Sequence, residues 1–125
     1  MNVAYFLVGL GGAAGAIARV ALSRILPHSI LGMPVKILFI NILGCFLIGL
    51  LTGIMTFYWS ASINTKHFLI QGFLGGFTTF SAFALEFGLL HDEGTDIIAI
   101  VYAILSVVLS LTLFFVGLKF IRIFS

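Results

Sequence analysis

The polar side chains that interrupt the apolar runs of this sequence have the chemistry of small-ion coordination. Tyr102, Ser106 and Ser110 recur every four residues, which puts three hydroxyls on one helical face. Asn41 adds an amide with two N–H donors in another apolar run. Phe77, Phe80, Phe83 and Phe87 share a helical face of a third run, and the edge of an aromatic ring is electropositive. Hydroxyls, an amide and ring edges, with no Asp deep in any run, suit a small anion better than a cation, and such donors set the selectivity of a pore. A weak point in a helix lies beside them. In Gly72-Phe73-Leu74-Gly75-Gly76-Phe77-Thr78-Thr79-Phe80-Ser81-Ala82-Phe83, adjacent glycines and a Thr pair weaken a helix near the middle of its run. Carbonyls freed by a break there would have to be met by protein, a cavity or an ion, and such carbonyls are a known way of holding Na⁺.

Two charges fall within the apolar runs. Arg19 is expected roughly 7 Å from the middle of its run and Glu86 roughly 11 Å from the middle of its own, on the same side, so they could pair or line a vestibule. Catalytic constellations are absent. His28, His67 and His91 sit at run edges without ligand spacing, and Asp92, Glu93 and Asp96 read as a solvated turn. The single cysteine, Cys45, excludes a disulfide framework or a cysteine metal site.

The elements that position these groups follow from composition. Of 125 residues, 62% are hydrophobic and 8% charged, against roughly 25% charged in a soluble domain. The expected architecture is all-α and integral to a membrane: one domain over residues 1–125, with spans at about 3–26, 35–58, 67–90 and 97–120. A soluble enzyme, a nucleic-acid binder and a sizeable extramembrane domain are excluded. The first run begins at Val3 with no basic residue before it, so an uncleaved first span is expected. Pro27 and Pro34 stop helices in the first connection, Trp59 to Lys66 form the second after an aromatic edge, and His91 to Asp96 the third. Gly11 and Gly15, and Gly49 and Gly53, are spaced for close approach of helices.

Four spans would put both termini on one side, with Lys66, Lys119 and Arg122 there and Arg24 and Lys36 opposite, Arg19 lying deeper. Orientation follows an excess of basic residues in cytoplasmic loops, and here there is almost none. Insertion in both directions and assembly as an antiparallel pair are therefore expected.

The third-run motif, together with Gly11-Gly12-Ala13-Ala14-Gly15-Ala16-Ile17-Ala18-Arg19 and Asn41-Ile42-Leu43-Gly44-Cys45-Phe46-Leu47-Ile48-Gly49, resembles the Fluc (CrcB) family of fluoride channels over the whole chain. The resemblance implies a multi-pass protein of the cell (plasma or inner) membrane that lets fluoride leave the cytoplasm passively and so relieves its toxicity. It implies a dual-topology antiparallel homodimer, with the third helix broken at the midplane. A central structural Na⁺, not transported, would be held by the carbonyls of Gly75 and Thr78 from both subunits. The fluoride path would be lined by Asn41, Phe80 and Phe83, with Ser81 beside them and the track of Tyr102, Ser106 and Ser110, and Arg19 would stand near the vestibule. Two departures remove hydroxyls: Lys36-Ile37-Leu38 stands for the family's Gly-Thr-Leu, and Ser81-Ala82-Phe83 for its frequent Ser-Thr-Phe. A competing reading is a small multidrug antiporter of similar architecture. Such transporters use an acidic residue in the first span, where this chain has only Arg19 and Arg24 as charges.

Overall fold

The structure is a computed structural model that describes residues 2–124. Helix α1 covers Asn2–Ile25 and ends just before Leu26-Pro27, because the residue preceding a proline is driven out of helical geometry. A short antiparallel hairpin follows, β1 (Ser29–Ile30) with β2 (Met33–Pro34), in the register Ser29 to Pro34 and Ile30 to Met33. Helix α2 is Lys36–Phe57.

The third apolar run is not one regular helix. Helix α3 occupies residues 63–77 and opens with Ser62, whose hydroxyl accepts from the Thr65 N–H at 3.2 Å. It passes through a π-helical stretch at His67–Leu74 and closes with a last turn at Gly75–Phe77. Thr78 (φ −90°, ψ 153°) and Thr79 (φ −153°, ψ 124°) are extended, and helix α4 resumes over Phe80–Asp92. Thr79 caps α4, its hydroxyl accepting from the Ala82 N–H at 3.2 Å. At the far end the N–H of Gly94 (φ 78°) donates to His91 O and that of Thr95 to Leu90 O, each at 3.0 Å. That pair of bonds is the Schellman arrangement, which needs the left-handed conformation glycine adopts freely. Helix α5 is Asp96–Ile123.

Four segments are long and apolar enough to cross a membrane: Val3–Ile25, Lys36–Phe57, Ile63–Asp92 and Asp96–Ile123. Each lies within a few residues of its expected bounds, the third and fourth extending furthest beyond them. Between the prolines, where sequence indicated only a turn-rich connection, the chain forms the hairpin.

Glycines decide which helices approach. A side chain at Gly11 or Gly15 of α1 would run into the backbone of Phe68 or Phe73 in α3, and one at Gly76 would lie 2.5 Å from Gly12 O. In the second pair, Gly49 of α2 faces Phe114 O, Gly53 faces Ile121, and Gly117 of α5 lies against Phe46 O and Leu50 N. The expected small-residue spacing therefore operates twice, pairing α1 with α3 and α2 with α5. A small cluster of Leu38, Leu90, Ala99 and Tyr102 closes the bundle at the hairpin end. Much of the remaining apolar surface points outward, from Phe6 on α1 to Phe120 on α5, as expected of helices solvated by hydrocarbon.

Candidate functional site

The interruption at Thr78 and Thr79 displaces a set of backbone hydrogen bonds, and its polar neighbours take several of them over. In a continuous helix the Thr79 N–H would donate to Gly75 O. It donates instead to Asn41 Oδ1 at 2.9 Å, while Asn41 Nδ2 donates to Thr79 O at 3.0 Å. The amide of α2 thus holds both sides of one residue's backbone in the α3–α4 break. Gly76 O would ordinarily accept from Phe80 N–H; here it accepts from Arg19 Nε at 3.3 Å. Thr78 O would have accepted from Ala82 N–H, which is committed to the Thr79 hydroxyl. The Thr78 hydroxyl donates back to Leu74 O at 2.9 Å, and Gly44, having no side chain, admits the Thr78 methyl. Gly75 O and Thr78 O have therefore each lost the donor a helix would supply, and Gly75 lies exposed on the surface of the chain.

Beside the break is a cleft of about 330 Å³ lined by Asn41, Thr78, Thr79, Phe80, Phe83, Ser106 and Ser110, with Cys45, Val107 and Leu111 as its apolar margin. Phe80 and Phe83 have ring centroids 5.3 Å apart with planes tilted by 49°, and Phe83 stacks on Tyr102, also at 5.3 Å. Ser106 is only 7% exposed and Tyr102 wholly buried, yet neither hydroxyl has a hydrogen-bond partner. A buried hydroxyl without a partner costs about 1–3 kcal/mol, and here two lie along one helix face. A smaller cleft of about 160 Å³ on the other side of Cys45 is lined by Gly75 and Thr78, with Gly44, Ile48, Ile70 and Leu74.

Six of the site residues named from sequence thus converge on one cleft: Asn41, Thr78, Phe80, Phe83, Ser106 and Ser110. Tyr102 stands behind it, its ring on Phe83. Ser81 points elsewhere, its hydroxyl 3.0 Å from that of Thr79 on the exposed side. Arg19 does not pair with Glu86; it bonds the Gly76 carbonyl. The phenylalanine stripe divides at the break: Phe77 is buried and stacked on Phe73, whereas Phe80 is 77% exposed. Two participants were missed. Thr79 is both helix cap and clamped peptide, and a Thr just before a helix start was a readable cap signal. The Gly76 carbonyl is a backbone acceptor, which no side-chain pattern announces.

Among the described residues no three of His, Cys, Asp and Glu come together as a metal cluster.

Four membrane-length helices define a multi-pass membrane protein, with hydroxyls, an amide and phenyl rings gathered at one cleft between them. The family model described as "CrcB-like protein, Camphor Resistance (CrcB)" matches residues 6–118. The chain belongs to that family. It is 38% identical over 125 residues to a protein of Francisella philomiragia, covering 97% of this chain and 96% of that one. It is 40% identical over 119 residues to a protein of Nitrobacter hamburgensis, covering 94% and 96%, and 38% identical over 119 residues to one of Rhodopseudomonas palustris, with the same coverage. The first and last of these carry the name fluoride-specific ion channel FluC, and the Nitrobacter protein is fluoride-specific ion channel FluC 2.

Proposed function

We propose that this chain is one subunit of a fluoride-selective channel that lets the ion leave the cell passively. The observation that carries the reading is the cleft at the helix break, where the Ser106 hydroxyl is buried without a partner beside Ser110, Asn41, Phe80 and Phe83. Fluoride is small and accepts hydrogen bonds strongly, so it can take the donors that the protein leaves unused. After clamping Thr79, Asn41 still has a second N–H. Phe80 and Phe83 would offer ring edges, and α4 begins at the cleft with the positive end of its dipole. Ser106, Ser110 and, deeper, Tyr102 would continue the path along α5, with Ser81 and Arg19 at its approaches. The names of the relatives support the choice of ion.

The same break ends α3 with carbonyls, and those of Gly75 and Thr78 have lost their helical donors. Oxygen ligands of that kind fit Na⁺. Two such oxygens from one chain would not fill the ion's shell, so a second copy related by antiparallel symmetry would complete it, with the break then at the middle of the bilayer. The near balance of basic residues between the two ends of the bundle favours that assembly. Na⁺ there would be structural: it neutralises the carbonyl dipoles and joins the copies. The residues of the fluoride path do the rest, shedding water from the anion and replacing it with fixed donors.

Efflux from liposomes loaded with potassium fluoride, followed with a fluoride electrode beside a chloride control, tests the reading. Fluoride release without chloride release is expected; equal release of both would defeat the claim of selectivity.

A further inference from the structure

The hairpin between α1 and α2 makes a poor choice by the rules of water-soluble turns. Leu31 and Gly32 are its two central residues, with φ of 55° and 81°, and positive φ at both positions is the signature of the type I′ turn. That turn favours Asn, Asp or Gly first, because a left-handed backbone is unfavourable for a branched apolar residue. Leu31 is the one described residue other than glycine with a positive φ, and its side chain is 94% exposed. Ile30 beside it is 53% exposed. The opposite side of the hairpin is held down: Met33 packs on the cluster of Leu38, Leu90, Ala99 and Tyr102, and Gly32 has Ile98 next to it. Ile30 and Leu31 are thus presented outward from an anchored base. Only the residues between Ile25 and Lys36 join two membrane-length helices, so the hairpin lies at the membrane edge. Exposed apolar surface continues from it to Ile25 at the end of α1 and Ile97 at the start of α5.

We propose that this hairpin is a lipid anchor, with Ile30 and Leu31 inserted into the acyl boundary of the leaflet at that end of the bundle. A residue that is costly in both backbone and exposure in water becomes favourable when its side chain enters hydrocarbon. The base of the anchor is tied to the bundle by Met33, which packs on the cluster that includes Tyr102. The inference rests on the membrane placement of the chain and is independent of the ion conducted.

The test uses the full chain in phosphatidylcholine vesicles, with a nitroxide at position 31 (Leu31→Cys in a Cys45→Ser background) and a reference label in the next turn on the same end (Glu93→Cys). An oxygen-to-nickel-chelate accessibility ratio several-fold higher at 31 than at 93 is expected. A label at 31 as open to the chelate as that at 93 would show a tip in water, and one shielded from both reagents would show a protein cover such as a second copy; either result overturns the proposal. A variant that keeps Cys45 provides the check should the labelled protein not fold. Leu31→Trp in a Trp59→Phe background should emit at shorter wavelength than free Trp and lose at least half its intensity with lipid brominated near the headgroup. Emission that brominated lipid leaves unchanged overturns the proposal as well.

Discussion

At the scale of single residues, Asn41 and Ser106 are both polar and both line the cleft, yet the structure requires opposite responses from them. Asn41 holds the peptide of Thr79 through both ends of its amide and keeps one N–H spare. Replacing it with Leu leaves a donor and an acceptor stranded at the break, a loss of about 1–3 kcal/mol for each group. Asn41→Leu should therefore lower the thermal midpoint and abolish fluoride efflux together, which a melting curve and the liposome assay check on one preparation. Ser106 has no partner to lose. Ser106→Ala should leave the melting temperature unchanged or slightly higher while fluoride efflux falls by about tenfold, the equivalent of one hydrogen bond of about 1.4 kcal/mol in the path. A matched fall in melting temperature would mean that the hydroxyl serves packing and not passage. These positions also mark how far sequence alone could go. The four-residue spacing of Tyr102, Ser106 and Ser110 was legible because helical period fixes a face before any tertiary contact is known. The engagement of Asn41 was not, because its partner is a backbone group 38 residues away, and backbone groups carry no residue type to read.

At the scale of elements, the break between α3 and α4 is held by three parts at once: the Gly44 gap that admits the Thr78 methyl, the Asn41 clamp and the Arg19 bond to Gly76 O. Weak helix propensity in Gly75-Gly76 and Thr78-Thr79 made a break there predictable, and the extended backbone at Thr78 and Thr79 falls on that stretch. The π-helical stretch at His67–Leu74 was not legible, and it is the stretch against which the glycines of α1 pack. Glycine substitutions should separate the two uses of this residue. Gly15→Ala places a methyl against the Phe73 carbonyl and should cost about 1–3 kcal/mol or prevent accumulation of folded protein. Gly88→Ala meets nothing within 4 Å in a helix interior and should stabilise by about 0.5–1 kcal/mol. Paired melts in the same detergent compare them; an equal effect of both would undo the packing scheme.

At the scale of the whole molecule, the proposed assembly asks one sequence to insert in two directions. Arginines introduced at Ser60 and Asn64 should fix one orientation and, expressed alone, give little fluoride efflux. Co-expression with a chain biased the other way, by arginine at His28 and Glu93, should restore it, as vesicle efflux from the mixed preparation would show. Efflux at full rate from either biased chain alone would exclude an antiparallel pair. Exchange of Na⁺ for a large organic cation should lower both efflux and the dimer fraction measured by light scattering. The number of spans was legible from composition, because the bilayer fixes both length and polarity of a crossing. The pairing of α1 with α3 and of α2 with α5 was legible only as glycine spacing, without the identity of the partners. The clamp of Asn41 on Thr79 has a consequence in time. During synthesis α2 is made, and enters the bilayer, before residue 79 exists. Its amide must wait there with water, lipid headgroups or the insertion machinery as provisional company. Completion of the third crossing is the event that releases those stand-ins, so the bond that ties the second helix to the break dates from the third helix and not from the second.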